Sequence, residues 1–513
     1  MASIKDRCRQ RSTPTQRRKA DEASERQGTQ PPRLSRRRKK RLSREQHRQL
    51  ARKAGLSRRQ LKRICGQLPK PVHTVFDPLA PALTQPTYHR VVLLALAAIL
   101  TVGGRTIANL LRTLGALASG HASSYHRVLS HRRWPSRRLA RRYIAAVLAH
   151  FAPRGPIELA GDDTVTEHPG DKVYGKGCHR DPVRSTHSFT TYRWGHKWVV
   201  LTVLVRFPVC RRRWALPLMA ALYRPEEKGI DGVSKRAHKT PVDLLGQMLR
   251  ILIRWFPDRT FVCCADGNYA AHELAEVAAV NPGRLTFVRK FYETANLFEP
   301  QPPYSGQGRP RVKGKELPKP AQVVRDTASR PVLSVAWYGG ERRRVEVVTG
   351  RGWWYQSGRP LIAVRWVFVR DRTGTHRDEY FFTTDVTMSP KAVIETYTGR
   401  WNIETTFQEA RSYLGLETTR VRVRNTVLRA EPCLLVLYTL VAWLYAELPV
   451  RYRRVRVVDW LGKSDVTFSD AITAVRRYLW VEGVFSLSGH REAFEKLGRP
   501  LQQILLQGLA PAA

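Results

Sequence analysis

Acidic side chains are scarce in this 513-residue chain: 42 Asp and Glu face 89 Lys and Arg, a formal charge of +47 at pH 7 and a pI near 10.9. The apolar share of 42% is ordinary for a globular protein, so the surplus sits on a folded chain and disorder throughout is excluded. A charge this lopsided repels itself unless a polyanion neutralises it, which is the footprint of a phosphate-backbone binder. Codon bias explains Arg in place of Lys, but not bases outnumbering acids twofold.

Long apolar runs are also missing. Val91–Val102 and Cys433–Ala446 fall short of the roughly 20 residues that span a bilayer, so they read as buried helices and no membrane is expected as a partner. The first seventy residues never turn apolar as a secretory leader does, and the expected location is cytoplasmic, on the nucleoid. Cysteine is sparse and odd in number: seven, single apart from Cys263-Cys264, none in a two-residue spacing. Disulfides and structural zinc are therefore not expected.

Residues 1–72 hold two dozen Lys and Arg against five acids, with the dense run Arg36 to Arg41, and read as a basic, disordered arm. Residues 73–152 read as a helical DNA-binding domain. Within it Thr106–Leu114, a break at Gly115, and Ser123–Leu129 have helix-turn-helix proportions. Ser123, Ser124, Tyr125, His126 and Arg127 open the second helix, and Tyr125 and Arg127 are its candidate DNA contacts. Two short core helices joined at a glycine would share this pattern.

Beyond Pro153 the pattern turns to strands. Ile157–Gly161 ends on Asp162-Asp163; Trp198–Phe207 and Trp214–Leu222 are β-rich; Val242–Phe256 has helical spacing. Phe261–Ala265 then ends on Asp266, ahead of a helix at Ala270–Val280 and a strand at Leu285–Phe291. Three strands, helix, strand, helix, strand is the order of an RNase H-like α/β sheet, with acids at the ends of two neighbouring strands. The core's first part spans 153–299. Four β-like stretches between Pro300 and Pro390 read as an inserted β-rich subdomain, 300–391, and closing helices follow over 392–450. Residues 451–513 read as a C-terminal helical region.

The segment Tyr397 to Arg411 reads YTGRWNIETTFQEAR. On one continuous helix Tyr397, Arg400, Glu404 and Arg411 share an arc of roughly 60°, beside an apolar stripe of Ile403, Phe407, Ala410 and Leu414. Guanidinium forks beside a carboxylate suit phosphodiester chemistry. A surface helix with an Arg400–Glu404 ion pair explains the arc equally well, but not the two aspartates at strand ends.

These residues resemble the tyrosine-arginine-glutamate-lysine signature of one group of bacterial insertion-sequence DDE transposases, with Arg411 in place of the lysine. Asp162-Asp163-Thr164, with the loop Lys172 to His179, looks like the first catalytic block of that group, and Asp266-Gly267-Asn268-Tyr269 like the second. The resemblance covers about 85–450. It implies Asp162, Asp266 and Glu404 as catalytic ligands of Mg²⁺ or Mn²⁺, two ions in all, with Asp163 as the alternative to Asp162. Carboxylates are the hard oxygen donors such ions prefer, and two ions can hold both the attacking and the leaving oxygen. The implied activity is hydrolysis at an element's terminal inverted repeats and strand transfer of the 3′-OH into target duplex DNA, with a homodimer as the active assembly. Tyr397, Arg400 and Arg411 are the implied DNA contacts near the site; Lys172 and Lys176, from their basic loop, read as phosphate contacts or as a solvated loop.

Weaker candidates remain. Trp353-Trp354-Tyr355 reads as core or as a base-stacking platform. His168, His179, His187 and His196 cluster with Cys178 without a zinc spacing and read as loop or DNA-facing residues, and Arg180 and Arg184 join Lys172 and Lys176 in a basic loop. Two other readings stay open: a catalytically silent, transposase-derived DNA-binding protein, and an RNase H-like nuclease.

Overall fold

The computed structural model describes residue 49 and residues 57–511, apart from 182, 183, 187, 227–237, 270, 271, 305 and 454–464. Most of the expected basic arm therefore lies outside the described residues. Its inner end does not: the chain is helical over 57–66 (α1), and Leu61, Ile64, Cys65 and Leu68 are buried. The arm cannot extend to residue 72, because an apolar stripe at helical spacing runs between its cations.

Five helices follow: α2 (Lys70–Phe76), α3 (Gln85–Leu100), α4 (Ile107–Leu114), α5 (Ala122–Ser130) and α6 (Ser136–Phe151). Thr106 caps α4 by accepting from the Asn109 amide, and Gly115, at φ +52, ends it where an L side chain would be strained. All six helices bury side chains in one core with the sheet, and the Tyr143 hydroxyl donates to the Pro217 carbonyl at 2.6 Å.

The strands are β1 (Ile157–Glu167), β2 (Gly177–Arg180), β3 (Tyr192–Arg206), β4 (Arg213–Tyr223), β5 (Phe261–Ala265), β6 (Leu285–Lys290), β7 (Leu297–Phe298), β8 (Val332–Ala336), β9 (Arg342–Trp354), β10 (Ile362–Asp371) and β11 (Glu379–Thr383). Helices α7 (Pro241–Trp255), α8 (His272–Ala279) and α9 (Pro320–Asp326) punctuate them. All eleven form one mixed sheet. Within it, β4-β3-β1-β5-β6 has three antiparallel strands leading into parallel β1, β5 and β6, an order consistent with the RNase H-like sheet expected. Two expectations need correction. β1 does not stop at Asp162-Asp163 but runs on to Glu167, paired with β3. The strands expected as a separate subdomain instead continue the core sheet, because Phe381–Thr383 of β11 pair antiparallel with Val288–Lys290 of β6.

The C-terminal part comprises α10 (Pro390–Gly399), α11 (Asn402–Leu414), α12 (Arg424–Glu447), α13 (Val450–Arg453), α14 (Phe468–Tyr478), α15 (Arg491–Glu495) and α16 (Arg499–Leu509). The apolar run at Cys433 belongs to α12, whose 24 residues are long and apolar enough to cross a bilayer; most of its apolar stretch is buried in the protein core. Two buried arginines tie the termini to α11. Arg105 donates to the carbonyls of Ala98 and Tyr413, and Arg476 to those of Ile99 and Tyr413, so the C-terminal ends of α3 and α11 share two guanidinium caps. Burial lowers both, to about 10, still far above neutrality.

The β10–β11 turn is organised by one carboxylate. Buried Asp371 accepts from the Thr373 and His376 amides, the Thr373 and Thr375 hydroxyls and Arg343. Burial pushes its pKa up, but these donors outweigh burial and hold it well below the carboxylate range. A depressed folded pKa stabilises above the unfolded value, near 3.9, and that stability is lost as pH falls. Asp371→Asn is therefore expected to lower stability at pH 7 by about 2 kcal/mol, with the gap narrowing below about pH 4; thermal melts across pH read it.

Candidate active site

Parallel pairing of β1 with β5 brings the aspartates together. The last paired residues are Gly161 and Ala265, so Asp162 and Asp266 stand abreast one step further on. Gly161 allows this register beneath α7: a Cβ there would meet the buried Leu245 methyls at 2.7 and 2.8 Å.

The motif helix departs from expectation. It is two helices, α10 and α11, joined by a tight turn at Arg400-Trp401, where the amides of 400, 401, 403 and 404 bond to carbonyls three residues back. The cause is packing. α10 buries Val393, Ile394 and Tyr397 in an apolar cluster with Cys264, Val288, Val335, Val367 and Phe381, whereas α11 buries Ile403, Phe407, Ala410 and Leu414 in the main core. Arg400 lies where the chain crosses from one cluster to the other.

Its guanidinium gathers the acids. Nη1 donates to Asp162 Oδ2 at 2.7 Å; Nη2 donates to Glu404 Oε1 at 3.1 Å and lies 3.4 Å from Asp266 Oδ1; the buried Nε makes no hydrogen bond. The Arg400 side chain is 5% exposed, against 14% for Asp162, 31% for Asp266 and 37% for Glu404. Burial raises the Asp162 pKa to about 7; Arg400 opposes the rise, while Asp266 and Asp163 add to it. Burial also raises Glu404, against Arg400 and with Asp266. Burial alone would lower Arg400, but Asp162, Tyr397 and Asp266 outweigh it, and the guanidinium stays charged.

Asp163 points elsewhere, as alternation along a strand requires. It pairs with Lys197 at 3.1 Å and accepts from the Tyr269 hydroxyl at 3.0 Å, while its amide donates to Asp162 Oδ1 at 2.8 Å.

Several expected DNA contacts are placed differently. Tyr397 is buried, its ring 4.4 Å from that of Phe381 and beneath the Arg400 guanidinium, so it supports the site from within. Tyr125 is likewise buried, donating to the Ser119 carbonyl, because its ring fills the core of the helical segment. Arg400 itself is spent on the acids. Arg411 clamps α11 to β1 and its own C-terminal loop through Thr164, the Val165 carbonyl and Glu417. Lys176 donates to the Gly170 carbonyl beside Trp194; Lys172 and Arg127 are exposed. Trp354 packs among His272, Phe291 and Phe382, which places it in the core. His168, His179 and His196 are buried, and His196 bonds Glu431 of α12 and the Tyr174 carbonyl; His187 lies outside the described residues.

Two features escaped the sequence reading. Tyr338, in the β8–β9 turn, and the half-exposed Trp401 meet at 6.0 Å beside the acids, and Tyr338 stacks on His376. Residues 78–157 contain 11 arginines and no Asp or Glu, a signal plainly visible in the chain. Arg127, Arg132, Arg133, Arg137, Arg138 and Arg141 of this stretch are exposed, and α1 beside it presents Arg58, Arg59, Lys62 and Arg63.

Three carboxylates from three separate elements meet on one guanidinium where the parallel pairing of β1 with β5 ends. The chain belongs to the DDE superfamily endonucleases: that family's model matches residues 78–344, just over half its length, including Asp162 and Asp266. Among solved structures it is similar to a piggyBac transposase synaptic complex with hairpin DNA, at 11% identity and a TM-score of 0.38, over 89% of this chain and 85% of that one. No curated protein matches.

The buried Tyr397 hydroxyl has no hydrogen-bond partner, a cost of about 1–3 kcal/mol. Tyr397→Phe should leave DNA affinity unchanged and stability unchanged or slightly raised, as read by binding titrations and thermal melts.

Proposed function

We propose that this endonuclease is the transposase of an insertion sequence, cleaving at the element's terminal inverted repeats and joining the freed 3′-OH to target DNA. The observation that carries the reading is the convergence of Asp162, Asp266 and Glu404 on one guanidinium. A structural ion pair needs one acid for one arginine. Here three acids meet one, in a pocket whose two outer carboxylates are about one-third exposed.

The donor set suits divalent metal: all oxygen, all carboxylate, and two negative charges in excess when every acid is ionised. Arg400 stands as a cation among them, and the acids are spaced for its guanidinium; among the described residues no group of three is drawn tight enough to hold an ion. Asp162, Asp266 and Glu404 would hold Mg²⁺ or Mn²⁺, which when bound supplies Lewis-acid stabilisation of the charge developing on phosphate oxygens. The protein's own part is positional. The β1–β5 register fixes two acids, the turn at Arg400 brings the third, and Lys197 with Tyr269 keeps Asp163 turned away. Duplex DNA reaches the site along the acid-free arginine surface of α1, α5 and α6, whose contacts are to phosphate and so contribute affinity more than sequence preference. Joining two ends requires two protomers, and sizing the DNA-bound protein tests that assembly.

Glu404→Ala should abolish nicking of an element-end duplex in Mg²⁺ while binding stays within about threefold, since the phosphate contacts that hold the duplex come from the arginine surface and not from this carboxylate. Full nicking by this variant would remove the third carboxylate, and the reading with it. Replacing Arg132, Arg133 and Arg137 together with Gln should flatten the slope of log K against log salt by up to about 2.7, roughly 0.9 for each phosphate no longer neutralised. An unchanged slope would place the duplex elsewhere.

A further inference from the structure

We propose that Arg400 is a displaceable counter-cation, which holds the three carboxylates together while they carry no metal and competes with divalent ions for them. The proposal rests on the acidic centre being the metal site.

Three observations carry it. The guanidinium serves all three acids through its two terminal nitrogens, while its buried Nε bonds nothing. It is therefore held by the partners a metal would take and by little else. Beneath it lies the face of Tyr397, 5.7 Å away, an attractive surface with no directional bond to break when the cation shifts. Its backbone sits in the short turn between α10 and α11, outside the regular ladder of either helix. Charge gives the direction of exchange: one guanidinium leaves the ionised acids with two uncompensated charges, so a divalent ion balances them better than the arginine does.

The consequence has a diagnostic sign. A residue that merely orients metal ligands weakens metal binding by about 10–100-fold when replaced. A competitor does the reverse. In the full-length protein without DNA, Arg400→Gln should bind Mn²⁺ about tenfold tighter than the parent chain, by titration of the free-ion paramagnetic resonance signal. Without metal its melting temperature should fall below that of the parent, and saturating Mn²⁺ should close the gap. Arg400→Lys, which keeps the charge, serves if the glutamine variant does not fold: its Mn²⁺ affinity should lie at or near the parent value. Asp162→Asn separates the two layers of argument. If the parent binds Mn²⁺ and Asp162→Asn loses it, yet Arg400→Gln binds no tighter, the counter-cation role is overturned and the metal site stands. If Asp162→Asn leaves Mn²⁺ binding untouched, the metal site itself is overturned.

Discussion

Everything at the acidic centre follows from one backbone constraint, the parallel register of β1 on β5. With Gly161 opposite Ala265, Asp162 and Asp266 are forced side by side where the pairing of two interior strands ends. Two carboxylates there repel each other, and the more buried Asp162 also loses hydration, a cost that a nearby cation offsets. The turn at Arg400 supplies that cation, and its position is dictated by packing, since α10 and α11 must fill different apolar clusters. The electrostatics are thus a consequence of the hydrophobic arrangement. Any change that let α10 and α11 run straight on would move the guanidinium away from the acids.

The same logic explains which features were legible in the sequence. Apolar runs ending on Asp162 and Asp266 announced both the strand order and the two acids, because a buried parallel strand is a short continuous hydrophobic stretch. Glu404 was legible through its stripe of Ile403, Phe407, Ala410 and Leu414, all of which are buried. The break before it was not: Arg400 and Trp401 keep nearly helical dihedrals, and only tertiary packing shows that the ladder is interrupted. Tyr125 and Tyr397 misled for a common reason. A tyrosine has an apolar body and a polar tip, and sequence alone does not reveal which end its surroundings use. The buried stripe of α1 was masked by the cations between its apolar residues. The continuity of the sheet across β6 and β11 was beyond reach, since an edge strand and a paired one read alike.

Arg105 and Arg476 show how the long chain is closed around this centre. One comes from the loop between α3 and α4 and the other from α14, yet both donate to the Tyr413 carbonyl near the end of α11. The helix that carries Glu404 is therefore gripped at its far end by both flanking regions of the protein. A buried guanidinium that meets helix-end carbonyls keeps its charge without a carboxylate, and its charge is favourable only while those helix ends stay together.

The pairing of β11 with β6 has a mechanical meaning. β5, which leads into Asp266, is bonded to β6, β6 to β11, and onward through β10 and β9 to the far edge. From that edge the chain doubles back: Ala336, at the end of β8, exchanges hydrogen bonds with Glu395 and Thr398 of α10, the helix that delivers Arg400. The inserted strands thus form a closed strut with two attachments to the acidic centre, one through backbone ladders and one through a helix. Torsion applied at the outer edge reaches Asp266 and Arg400 by separate routes. The placement of Asp266 and of its guanidinium thus draws on strand pairing at one attachment and on the contact of α10 with β8 at the other, through residues remote from either.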